Sequence, residues 1–268
     1  MDGLAKSGAA MQVEFSIVLD DIVFYFVALF YAMIILIIAD IARKKRNLGS
    51  EVTRRIVHLF AGAAIWTLPF FPHPWVATLV ALTFVVMLAL ANTERFSGFF
   101  AAMARPEDLE HNSVRGPFWY AVSITILTAV FTFTGLHELY FVAAASIHIM
   151  MFGDGMSAPI GIKYGQSSTR VIFGSKRSIP GTLALFVFGF LGALLAFWWF
   201  GIFTMATPIF MVGGIILWFD MIILAFIGAT TAAIVELFSP KGTDNVTLPL
   251  ISCVVIFLFA IQLGLISI

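Results

Sequence analysis

Charge is scarce in this sequence. Only 11% of its residues are Asp, Glu, Lys or Arg, against about 25% in soluble domains. A water-facing surface cannot be built from so few ionic groups, which excludes a soluble globular domain. The formal net charge is zero, so no partner of one sign is implied and no nucleic-acid partner is expected. Cysteine is nearly absent: Cys253 stands alone in an apolar run, which excludes a disulfide framework within one chain. There is no internal repeat and no Gly/Ser-rich or Pro-rich linker. One membrane domain over 16–268, after a lead-in at 1–15, is therefore expected. That lead-in, MDGLAKSGAAMQVEF, lacks a cationic start followed at once by an apolar core, so no cleaved signal is expected.

What is present is apolar. Hydrophobic residues make up 61% of the chain, and the mean hydropathy is +1.02. A spanning helix needs about 20 apolar residues. Runs of that kind fall near 18–40, 56–72, 75–92, 117–135, 139–160, 179–200, 207–238 and 246–266. The expected fold is an all-α, polytopic transmembrane bundle of about eight spans, with seven to nine allowed. The seventh run contains Gly213, Gly214 and Asp220 and is expected to be tilted, broken or partly re-entrant.

Fourteen of the fifteen Lys and Arg residues fall in loops on one side of these spans, and only Lys6 falls on the other. The positive-inside rule puts those loops in the cytoplasm and both termini outside. A channel or symmetric transporter needs polar groups on both faces, so this one-sidedness argues against either.

Four stretches carry possible chemistry. In GDGMSAPIGIKYG, residues 153–165, Asp154 lies at a span end among Gly153, Gly155, Gly161 and Gly165. Glycines allow close backbone approach, and an acid at membrane depth is expensive unless it works. A basic loop with Lys163 and Arg170 follows, then KRSIPG at 176–181. Ser178 can cap the next helix with Pro180 in its first turn. Lys176 and Arg177 would then stand at a helix N-terminus with free N–H groups. Together these groups describe a site for a metal-bound polyphosphate; an ordinary basic loop is the plainer alternative.

In AAIVELFSPKGTDNVTLPL, residues 232–250, Glu236 nears the end of an apolar helix, and Asp244 and Asn245 precede the last span. Their oxygens suit a hard cation, although Asp244 or Thr243 could simply cap a helix. In EVTRRIVHLFAG, residues 51–62, Arg54, His58 and Gly62 share one helical face. The arginines could be anchors, and His58 a general base, a phosphate donor or a packing residue. His148, shortly before Asp154, is equally open. The loop between spans three and four, from Asn92 and Glu94 through FSGFFAAMA to Arg115, reads as an interfacial lid or substrate collar. Asp20 and Asp21 are expected at the interface, and Asp220 is left undecided.

Asp154, Gly161 and Gly165 followed by KRSIPG resemble the CTP-binding motif of the polyprenol kinase family. That family includes dolichol kinases, phytol kinases and CTP-dependent diacylglycerol kinases. The run from Glu236 through TDNVTLPL is similar to its second hallmark, and RRIVHLFAG at 54–62 to its N-terminal element. Ser157 stands where the family pattern has alanine, and Pro180 where glutamate is common. The same motif is similar to part of the phosphatidate cytidylyltransferases, but their longer KRxxxKD signature has no counterpart after Glu236.

The resemblance implies a lipid-alcohol kinase that works at the cytoplasmic membrane face with CTP as donor and Mg²⁺ as cofactor. Asp154, Glu236, Asp244 and Asn245 would serve the metal. Gly153, Gly161, Gly165, Lys163, Lys176, Arg177, Ser178 and Gly181 would serve the nucleotide. Asp154, Glu236, His58 and Arg54, or Arg55 in its place, would serve catalysis. Phytol, geranylgeraniol, a polyprenol and diacylglycerol all present a hydroxyl on an apolar tail. The expected partners are the lipid alcohol, CTP and the bilayer; oligomeric state is open. A cytidylyltransferase is the first alternative, and a lipid or ion transporter the second.

Overall fold

The structure is a computed structural model that describes residues 16–46, 50–91, 115–203, 205–206, 211–212, 214–240 and 242–266. The lead-in at 1–15, the 92–114 part of the expected lid, Lys241 and Gly213 lie outside the described residues. The chain is a polytopic helical bundle. Among the described residues, six helical stretches are long and apolar enough to cross a membrane. The helices are α1 (Leu19–Arg46), α2 (Ser50–Ala61), α3 (Trp75–Ala91), α4 (Arg115–Phe133), α5 (Tyr140–His148), α6 (Gly155–Tyr164), α7 (Ile179–Phe197), α8 (Trp218–Phe238) and α9 (Asp244–Gln262). A 3₁₀ stretch, Gly62–Phe70, continues α2, and a π-helical segment, Ile149–Asp154, joins α5 to α6. The expected runs at 56–72 and 75–92 fall on α2 with its extension and on the 17-residue α3, neither of which is among those six.

The seventh run differs from expectation in its first half. Residues 205–206 and 211–212 pair as short antiparallel strands, and the helix starts only at Trp218. Asp220 therefore lies in the first turn of α8, where an acid favours the positive end of the helix dipole. Glu236 is sixteen residues further along α8, about 24 Å away at 1.5 Å per residue. Asp220 thus takes no part in a site at the other end.

The core lies along α5 and its π-helical continuation. Every residue from Tyr140 to Met151 is buried. Small residues let α7 close onto this segment. A Cβ on Gly192 would stand 2.8 Å from the His148 carbonyl oxygen, and one on Gly153 would stand 2.9 Å from that of Leu185. Membrane helices lack a hydrophobic drive toward one another and associate through such close backbone packing. By contrast, α1 turns Phe26, Phe30, Ile34, Ile37 and Ile38 outward, as a lipid-facing helix must.

Asp21 departs from expectation. It is fully buried, not interfacial. Its carboxylate accepts from the His73 backbone N–H at 2.9 Å and the Val18 N–H at 3.0 Å, and it pairs with His73 Nδ1 at 2.7 Å. His73 Nε2 meets Ser16 Oγ at 2.8 Å. This chain pins the start of α1 to the turn before α3. Asp21→Ala would strand buried donors, so a loss of about 3 kcal/mol is expected. A lowered detergent melting temperature would register it.

Candidate active site

Ionisable side chains from five separate segments converge at one end of the bundle. His58, on α2, faces Asp154 at the end of the π-helical segment, with Nε2 3.6 Å from Oδ2. Arg177 Nη1 contacts Glu236 Oε1 at 2.8 Å near the end of α8. Arg177 Nη2 lies 4.0 Å from Asp244 Oδ2 at the start of α9. Asp154 and Asp244 both lie within electrostatic reach of Glu236, so the two pairs form one cluster.

Local structure explains each placement. A π-helical turn holds more residues than an α-turn, and such insertions recur at functional sites. Here it shifts the register between His148 and Asp154, setting Asp154 against α2. Arg177 is placed by a hairpin, β1 (Arg170–Ile172) against β2 (Ser175–Arg177). Its turn residues, Phe173 and Gly174, both have positive φ, 47° and 79°, as a two-residue type I′ turn requires. Successive residues of a strand point to opposite faces. Lys176 is accordingly exposed while Arg177 turns inward to the acids. The two cations thus lie on opposite faces of the strand rather than side by side.

The α7 N-terminus also differs from the expected open anion site. Ser178 caps it as the sequence indicates, accepting from Gly181 N–H at 3.3 Å. The Ile179 N–H donates to Ser168 Oγ, the Thr182 N–H donates to the Ser178 carbonyl, and Pro180 has no N–H. All four leading positions are thus accounted for within the chain. Gly161, Gly165 and Gly181 surround Ser178. A Cβ on Gly161 would stand 2.9 Å from Ser178 Oγ, and one on Gly181 would stand 3.0 Å from the Ser157 carbonyl oxygen. These glycines let the end of α6 pack on the start of α7. Gly165→Ala would press on Ser178 and on the Gly161 carbonyl. A destabilisation of about 1–3 kcal/mol is expected, read as a lower melting temperature.

The remaining expected residues fall as follows. Asn245 is buried, and its Nδ2 donates to the Gly116 carbonyl at 3.0 Å. Arg55 donates to the Gly155 carbonyl at 3.0 Å, tying α2 to α6. Lys163 is exposed with its ammonium 5.0 Å from the Tyr164 ring. Among the described residues, no ion pair ties Lys163 or Lys176 to the three acids. His148 is a packing residue. Its Nε2 accepts from Trp66 Nε1 at 2.8 Å, and its Nδ1 donates to the Ala144 carbonyl at 2.8 Å. Tyr120 was not evident from sequence. Its ring centroid is 4.2 Å from that of His58, and its hydroxyl donates to the His58 carbonyl. An aromatic residue in an apolar span gives no signal of that role.

The cluster has unmet bonding capacity. Among the described residues, eleven buried side-chain N or O atoms lack a hydrogen-bond partner. Six of these are His58 Nδ1 and Nε2, Arg177 Nε and Nη2, Glu236 Oε2 and Asn245 Oδ1. Buried polar groups are rarely left unpaired, so this concentration marks a place where an external polar ligand would be held. Beside it opens an apolar cavity of about 100 Å³. Arg54, His58 and Asn245 are among its polar lining residues.

A helical membrane bundle with a buried ionic cluster at one end of an apolar cavity is the class of protein defined by this geometry. The chain is 28% identical to a phytol kinase of Synechocystis sp. over 228 residues, covering 84% of this chain and 86% of that one. It is 24% identical to a probable chloroplastic phytol kinase of Triticum aestivum, covering 82% and 71%. A similar protein of Glycine max, probable phytol kinase 2, is 24% identical over 82% and 69%. No family model and no solved structure matches. The chain is thus similar to phytol kinases over most of its length.

Proposed function

We propose that the protein is a prenol kinase that transfers the γ-phosphoryl group of CTP to the hydroxyl of an isoprenoid alcohol. The observation that carries this reading is the junction of the ionic cluster with the apolar cavity at His58. A water-soluble donor and a membrane-embedded acceptor can meet only at such a junction. The names of the relatives, all phytol kinases or probable phytol kinases, support a prenol acceptor over phosphatidate. The one-sided charge supports a site on the cytoplasmic face.

Phosphoryl transfer depends on positioning and charge neutralisation more than on covalent chemistry by the protein. The acceptor hydroxyl would enter from the cavity and arrive at His58. Its oxygen bonds to the γ-phosphorus as the bond to the β-phosphate oxygen breaks, releasing CDP. The hydroxyl proton passes to His58 Nε2, whose ring nitrogens are buried without a hydrogen-bond partner, and Asp154 stabilises the resulting imidazolium. Arg54 at the cavity edge, and the open Nη2 and Nε of Arg177, would neutralise charge on the transferring group.

The donor set suits Mg²⁺ bound with substrate. Among the described residues, no three His, Cys, Asp or Glu side chains form a metal centre by themselves. Mg²⁺ usually takes one or two carboxylates and draws its other ligands from phosphate and water. Asp154, Glu236 and Asp244 would hold it, with Asn245 Oδ1 nearby, and when bound it would supply charge neutralisation at the phosphates.

Purified protein should be offered phytol, diacylglycerol and phosphatidate, each with CTP, ATP, GTP or UTP, and the lipid products weighed by mass spectrometry. A prenyl monophosphate formed with CTP is expected. A CDP-linked lipid from phosphatidate would replace the kinase with a cytidylyltransferase. Equal use of all four nucleotides would remove the CTP assignment.

A further inference from the structure

We propose that the apolar cavity is the tail site of the acceptor and that Phe71, Thr128 and Tyr140 form a floor setting the longest tail accepted. This rests on the prenol kinase reading and adds how that site selects among prenols. The cavity runs between α1, the α2 extension, α3 and α4. At one end it meets Arg54, His58 and Asn245; at the other it meets the three floor residues. Along α4 it extends from Pro117 to Thr128, which is about 16 Å at 1.5 Å per residue.

The floor is closed. Phe71 and Tyr140 are fully buried and Thr128 nearly so. The Tyr140 and Thr128 hydroxyls are 3.2 Å apart, and the Tyr140 ring packs edge-on against Phe200 at 5.3 Å. A hydroxyl pair held this way resists displacement, since separating it strands two buried polar groups. A channel of about 16 Å suits one branched diterpenoid tail with its hydroxyl at His58. A long polyprenol would have to leave the cavity, and the two acyl chains of diacylglycerol exceed a single channel. The tail would also sit against small side chains of α1, Ala28 and Ala32, which leave it width.

The test is a chain-length profile. Wild-type protein with CTP is assayed on farnesol, geranylgeraniol, phytol and a long polyprenol. Turnover per unit KM is expected to fall about tenfold or more beyond diterpenoid length. Tyr140→Ala opens the floor and should raise the ratio of long polyprenol to phytol by about tenfold. Ala32→Phe narrows the channel and should shift preference toward farnesol. An unchanged profile in both variants would overturn the ruler. Should Tyr140→Ala fail to fold, wild-type protein is photolabelled with a prenol carrying a terminal diazirine. Adducts on Phe71, Thr128 or Tyr140 would support the assignment. Adducts only on lipid-facing residues of α1 would overturn it even if prenol phosphorylation is confirmed. Absence of phosphorylation of any prenol would instead overturn the kinase reading itself.

Discussion

Asp154→Asn is expected to lower phosphoryl transfer by about 10³-fold, the scale of removing one preorganised electrostatic group, while the protein stays folded. The carboxamide keeps the carboxylate's shape, so the packing of Gly153 on α7 and of Gly155 on Leu59 is untouched. What changes is the charge 3.6 Å from His58. An imidazolium formed there would lose its counter-ion, and the proposed phosphate site would lose a carboxylate that could hold a cation. Turnover and a melting curve on the same sample separate loss of chemistry from loss of fold. Near-normal turnover in a folded variant would remove Asp154 from the site.

Arg177→Ala has a different signature. It leaves Glu236, nearly fully buried, without the partner held at 2.8 Å. Breaking a buried pair from one side costs about 3–5 kcal/mol, so both stability and activity should fall. Arg177→Met combined with Glu236→Leu removes both charges and replaces them with apolar side chains. Such exchanges are often neutral for stability. The melting temperature should therefore recover in the double variant, whereas activity should not. Recovery of activity would mean that the pair serves only the fold. No change in melting temperature for Arg177→Ala would mean that the contact contributes little to the native state.

Much of this arrangement was legible in sequence because hydrocarbon imposes a strong rule. A backbone in lipid must satisfy itself, so long apolar runs read directly as helices. The shared face of Arg54 and His58 followed from helical spacing, and the Ser178 cap followed from a serine two residues before Pro180. The placements that were not legible depend on non-local partners. Asp21 resembles an interfacial acid until His73, 52 residues away, folds onto it. Arg177 and Lys176 look like side-by-side cations until the Phe173–Gly174 turn puts them on opposite faces of a strand. The glycines around Ser178 look like a nucleotide loop, yet the structure uses them to bring two helices together. Nothing in the apolar run before Asp154 announces a π-helical turn. The cavity was invisible because its walls come from six segments, and each alone is an ordinary spanning sequence.

The most direct test of the central claim uses CTP labelled either at the γ-phosphate or at the α-phosphate. Purified protein in detergent receives Mg²⁺, each CTP stock in turn, and a mixture of phytol, diacylglycerol and phosphatidate. Label recovered in lipid only from the γ position, as phytyl monophosphate, is the expected result. Label entering lipid from the α position would contradict a kinase and establish nucleotidyl transfer instead.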